Sequence, residues 1–314
     1  MRSLKAVASL TGNTADLKAG TVTPEGHELE FEFENLPGII QAFRCMVRGL
    51  GFDICEMALT TYLCAREHGV KFVALPIFPV RAFHHGSIVH DVRRPVDDPR
   101  ELEGRRVGVG RGYTVTTGVW ARSILQDEYG VDLSKVTWVL SGDEHVQSYV
   151  PPDNVVPIAT GQTIEAQLLA GQLAAAVNVA TTDQAIRPLI PNALESGLAA
   201  FSDRGHYPIN HCMVVREDVL GSCPGLGVAL FNTFVESKRR YLERLAEGRI
   251  VEPDGSDRLY KRIQDLGADP LPYGIAPNRA VLEQLLAHAR TQNILKDYVD
   301  IETLFAPETH DLVG

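Results

Sequence analysis

Stretches with a period of two alternate with stretches of helical period along the first half of the chain, and this alternation constrains the fold more than any other feature. Residues 4–9 read as a strand that ends in the turn Thr11-Gly-Asn-Thr14. Residues 28–34 alternate strictly and give a second strand with one wet face. Asn35-Leu-Pro37 opens a helix through Ile40, Phe43, Val47 and Leu50, with proline where its missing N–H costs nothing. Residues 52–55 form a short strand, Glu56 begins a helix that runs to His68, and residues 71–78 form a buried strand bounded by Pro79. Strand and helix in turn argue for βαβ units and a mostly parallel sheet.

An extended segment with three histidines follows at residues 80–90, and Pro95-Val-Asp-Asp-Pro99 interrupts the apolar pattern as a boundary does. A second series then begins, with a strand at 106–109, strands at 135–140 and 173–178, a helix at 163–170, and a helix capped by Thr181-Thr-Asp183. Residues 209–215 are one more apolar strand, after which the chain turns helical. Two α/β blocks and a helical tail predict two lobes around a ligand cleft.

At 314 residues and 45% hydrophobic content the chain can fill two cores. Its net charge of -10 disfavours nucleic acid and anionic membrane surfaces as partners. The apolar run near the N-terminus is too short for a secretory signal, and no run approaches the roughly 18 apolar residues of a membrane span, so a cytoplasmic protein is expected. Five cysteines with no C-x-x-C pair read as buried free thiols. A nucleophilic Cys55 is disfavoured, because the adjacent Glu56 works against thiolate formation.

Within residues 105–122 a strand, a glycine-rich turn holding Arg111 and Tyr113, and a helix opening between Thr114 and Thr117 make a seat for an anion. The G-x-G-x-x-G spacing fails at Tyr113 and no P-loop lysine follows, so the reading is a carboxylate clamp and not a nucleotide site.

Residues 52–63, 75–85, 111–122, 126–130 and 207–211, including Leu75-Pro-Ile-Phe-Pro-Val-Arg-Ala-Phe-His-His85 and Tyr207-Pro-Ile-Asn-His211, resemble the 4,5-dihydroxyphthalate decarboxylase family. The resemblance covers roughly residues 1–245. It implies an α/β fold of two lobes like type II periplasmic solute-binding proteins, each lobe a mixed, mostly parallel sheet flanked by helices, with the ligand cleft between them. One lobe would comprise residues 1–95 plus 206–314 and the other 96–205. It also implies loss of CO₂ from a hydroxylated aromatic dicarboxylate by protonation of the ring carbon, which requires a cationic clamp, a general acid and a group that polarises the hydroxyls. A binding protein that closes on an aromatic acid without reacting is the alternative, as is a decarboxylase of a related acid.

In that frame Arg111, with the N–H groups around Thr116 and Thr117, is the clamp, Thr114 and Tyr113 stand beside it, and Arg81 is the second choice. His84 and His85 are the foremost acids, with His211 beside Asn210 and His145 beside Glu144 as rivals. Glu56 would accept a hydrogen bond from a substrate hydroxyl, Asn178 would line the ligand, and Tyr113 and Trp120 could stack on the ring. No cofactor loop and no Schiff-base lysine stand out, so a cofactor-independent reaction is expected. A divalent metal held by His84, His85, Glu144, His145 and His211 is considered because catechols chelate such ions. The expected partner is a small aromatic carboxylate; a homo-oligomer is left open.

Overall fold

The computed structural model describes residues 2–31 and 38–314. Its strands, in chain order, are β1 (Arg2–Val7), β2 (His27–Phe31), β3 (Ile54–Ala58), β4 (Phe72–Arg81), β5 (Ile88–Asp91), β6 (Arg106–Val109), β7 (Thr137–Leu140), β8 (Val155–Pro157), β9 (Ala175–Val177), β10 (Ile186–Pro188) and β11 (Ile209–Arg216). They form two mixed sheets, ordered β2-β1-β3-β11-β4 and β10-β5-β9-β6-β7-β8.

The chain divides into two compact units. Unit 1 holds residues 1–82, 209–283 and 299–314, and unit 2 holds residues 83–208 and 284–298. The expected boundary at 95/96 falls inside unit 2 because β5 already pairs with β9 and β10 of the second sheet. Residues 284–298, expected with the first lobe, cluster with unit 2.

In unit 1, β1 runs parallel to β2 and to β3, while β11 returns antiparallel between β3 and β4. The late strand enters the middle of the early sheet, so β3 is covered on both edges and all five of its residues are buried. Helix Ile39–Gly49 packs nearby through one stripe of Ala42, Phe43, Met46 and Val47. Its expected opening at Asn35-Leu-Pro37, and the end of the second strand at residues 32–34, lie outside the described residues.

In unit 2, β9, β6, β7 and β8 are parallel neighbours, so the loops after β6, β7 and β9 emerge along one sheet edge. Val139, Ile164, Leu168, Leu173, Ala176 and Ile186 make the core on one face. No helix begins at Thr181-Thr-Asp183. The side chains of Thr181 and Asp183 instead close a turn by accepting from the N–H groups of Asp183 and Ala185, and that turn leads into β10. No helix among the described residues is long and apolar enough to cross a membrane.

Candidate functional site

The centre of unit 1 is a fully buried carboxylate. Glu56 is the middle residue of β3 and is 0% exposed. A charge so placed is tolerated only with close partners. Ser9, just beyond β1, donates its backbone N–H to Glu56 Oε2 at 2.5 Å and its hydroxyl to Oε1 at 3.0 Å. His211 Nδ1 lies 2.5 Å from the same Oε1. The register of β11 brings this about, since Met213 sits opposite Glu56 and His211 opposite Ala58, which puts His211 on the diagonal of the same face.

Burial pushes the Glu56 carboxyl up, but the hydrogen bond and charge of His211 and the two Ser9 donors outweigh it, leaving it below its ordinary value. Glu56 is therefore a permanent anion at neutral pH. The imidazole it holds is one-fifth exposed and has the edge-on ring of Phe43 at 5.2 Å. Lys18 feels the same carboxylate: burial lowers its ammonium to about 8, against the upward pull of Glu56. Asn210 is buried, and so is Arg81, whose guanidinium donates to the Asn278 side chain and lies 6.0 Å from the centre of the Phe78 ring. Arg81 is thereby built into the packing of unit 1.

In unit 2 the expected anion seat exists, and the protein's own Glu144 sits in it. Its carboxylate accepts from the N–H groups of Tyr113 and Thr114 and, at 2.6 Å, from the Thr114 hydroxyl. A Cβ on Gly112 would stand 2.6 Å from Glu144 Oε2, so glycine is required for this approach. Beneath the turn lies Arg122, fully buried, with its guanidinium 3.9 Å from the Tyr113 ring centre and donating to the Tyr113 carbonyl at 2.6 Å and to Gln292 at 2.8 Å. Tyr113 is thus a platform for an internal arginine. Helix Thr116–Tyr129 then begins, with Thr116 buried and Thr117 half-buried.

Arg111 is exposed and holds φ at 75°, a left-handed conformation that costs a side-chain-bearing residue about 1–2 kcal/mol. Its N–H is anchored on Ser141 Oγ at 2.9 Å, while its guanidinium pairs with no carboxylate among the described residues. Asn178, also left-handed, donates to the Gly110 carbonyl at 3.2 Å, and a Cβ on Gly110 would stand 2.0 Å from the Asn178 oxygen. Arg111, Ser141, Gln162, Thr163, Glu165 and Asn178 line an open cavity of about 460 Å³ at the ends of β6, β7 and β9, the edge where open α/β sheets take ligands.

The two foremost acids expected from the sequence are both buried. His85 is 0% exposed, with Nε2 3.0 Å from Glu128, which also receives Arg204. His84 is 2% exposed, with Nδ1 3.5 Å from the Ser87 hydroxyl, and His145 is 3% exposed. Trp120 is core, its ring edge-on to His206 at 5.4 Å and to His288 at 6.1 Å. Among the described residues no three His, Cys, Asp or Glu side chains are grouped to hold a metal. His211 is engaged by Glu56 through Nδ1, His85 by Glu128 through Nε2, and Glu144 by the Tyr113 turn. The five cysteines are free thiols, and burial, followed by the charge of Glu56, pushes Cys55 and Cys212 up, which leaves both unreactive.

No family model matches the chain. A 4,5-dihydroxyphthalate decarboxylase of Comamonas testosteroni is 30% identical over 286 residues, which span 83% of this chain and 84% of that protein. The chain belongs to the 4,5-dihydroxyphthalate decarboxylase family. Among solved structures, the periplasmic aliphatic sulphonate binding protein SsuA of Escherichia coli matches with TM-score 0.55 at 11% identity, over 97% of both chains. The desulfurization enzyme DszB matches with TM-score 0.54 at 14% identity, over 98% of this chain and 97% of that one. At such identities these two likenesses give the fold alone, and this member of the decarboxylase family has the periplasmic-binding-protein-like one.

Sequence reasoning missed Ser9, Lys18, Glu128, Arg122 and Glu165. Arg122 carried a legible signal, a lone cation in the apolar run Val119-Trp-Ala-Arg-Ser-Ile-Leu125. Ser9 carried none, because its contact with Glu56 spans 47 residues of chain.

Proposed function

We propose that the protein decarboxylates a hydroxylated aromatic dicarboxylate, 4,5-dihydroxyphthalate by family kinship, to 3,4-dihydroxybenzoate and CO₂. The observation that carries this reading is the buried Glu56 carboxylate aligned on Nδ1 of a partly exposed His211. Direct loss of CO₂ would leave a bare carbanion on the ring. Protonating the carboxyl-bearing carbon first, with electron donation from the hydroxyl para to it, avoids that. The C–C bond then breaks, its electron pair returns to the ring, and aromaticity is restored with one proton consumed for each CO₂ released.

The acid in this scheme is His211. Glu56 fixes the ring through Nδ1 and leaves Nε2 to face a ligand. Glu56 itself, held by three donors, is the positioning anion and not the hydroxyl acceptor expected from the sequence. In unit 2, Arg111 offers a guanidinium that pairs with no carboxylate among the described residues, a cation for a substrate carboxylate in that cavity.

The test is CO₂ release and formation of 3,4-dihydroxybenzoate by the purified protein supplied with 4,5-dihydroxyphthalate. Turnover is expected; its absence across a panel of hydroxylated phthalates overturns the reading.

A further inference from the structure

We infer that Glu165 is the residue by which the unit 2 cavity selects hydroxylated aromatic acids, accepting a hydrogen bond from a ring hydroxyl while Arg111 holds the carboxylate. The inference rests on the proposed clamp role of Arg111. Glu165 is half-buried in the short helix Ile164–Leu169, which Thr163 caps by accepting from Ala166 N–H at 3.1 Å. The cap fixes the first turn and with it the direction in which the Glu165 side chain leaves the helix. One of its oxygens accepts from Thr181 Oγ1, which orients the group. A carboxylate has about four acceptor positions, so one hydrogen bond leaves it able to take more.

Arg111 and Glu165 line the same cavity, yet no ion pair joins them. A cation and an anion kept apart in a space of about 460 Å³ are complementary to a ligand with an acid at one end and a donor at the other. A hydroxybenzoate of one ring has that form. A second carboxylate turned toward Glu165 would be repelled, and an unsubstituted ring edge would leave the carboxylate without a donor, so discrimination comes from mismatch as well as match. The contact also serves the chemistry, because a hydroxyl that donates to a carboxylate pushes electron density into the ring. That role was expected of Glu56, which is engaged elsewhere.

The experiment is calorimetric titration with 3,4-dihydroxybenzoate and with benzoate, an unreactive pair that differ only in the hydroxyls. Wild-type protein should bind the dihydroxy acid more tightly. Glu165→Gln, isosteric at a half-exposed position and checked for an unchanged melting temperature, should lower that preference on the order of ten- to a hundredfold while leaving benzoate unaffected. Arg111→Ala should weaken both ligands alike. An undiminished preference in Glu165→Gln overturns the role of Glu165. Unchanged binding of both ligands in Arg111→Ala overturns the clamp instead, so the two failures are distinguishable.

Discussion

His211 and His85 show what decides the role of a histidine in this protein. Both imidazoles face a glutamate, but His85 has no exposed surface, whereas one-fifth of His211 reaches solvent. Only the second has surface open to a ligand. Glu56→Gln keeps the shape of the residue and removes the carboxylate that orients the His211 ring, so kcat is expected to fall about a hundredfold or more with a smaller change in KM, read by steady-state CO₂ release. For Arg111→Ala the split is reversed. Losing a charge-assisted hydrogen bond is worth about 1.5–3 kcal/mol, so the Kd for 3,4-dihydroxybenzoate should rise by roughly 10- to 150-fold. The place of Arg111, in the turn between β6 and the helix Thr116–Tyr129, was legible because a cation flanked by glycines after a short strand is a local pattern. Glu144 as the occupant of the neighbouring seat was not, since no local rule links residues 113 and 144.

At the scale of elements, the cavity depends on two left-handed residues and one close approach. Gly110 packs its Cα against the Asn178 carbonyl, and a methyl group at 2.0 Å from that oxygen has no place to go without moving one loop. Gly110→Ala should therefore cost about 1–3 kcal/mol, seen as a lower urea midpoint with unchanged slope, and should weaken ligand binding by displacing Arg111. Period and turn chemistry made β4, β6 and β11 legible, since each is an apolar run between turn signals, but they misplaced Glu56, expected to begin a helix and found in the middle of β3, with the helix starting only at Leu59. They failed at residues 181–188, where Thr181 and Asp183 read as a helix cap but close a turn before a three-residue strand. They also failed at the unit boundary, because Pro95 and Pro99 are stronger local signals than the long-range pairing of β5 with β9 and β10.

For the molecule as a whole, unit 2 contains two histidines that folding holds neutral. Burial lowers His206, opposed by Gln284, and burial lowers His288, opposed by Asp127. With folded-state values below the unfolded value near 6.5, the unfolded chain binds more protons as the medium is acidified. Stability is thus fully present above about pH 6.5 and declines below it, by up to about 1.4 kcal/mol per pH unit for each histidine. Urea midpoints between pH 7.5 and 5.5 should fall in wild type and fall less steeply in His206→Asn. Glu56 and Glu128 add a second loss only below about pH 4.5, since their folded values are depressed.

The kcat for CO₂ release from 4,5-dihydroxyphthalate, compared between wild type and His211→Asn at pH 7, tests the proton donor directly. Asparagine keeps a donor toward Glu56 and has no titratable proton to give. The predicted result is turnover by wild type and a drop of roughly 10²- to 10⁴-fold in the variant with its melting temperature preserved. Equal rates in the two proteins would contradict the assignment of His211 as the acid.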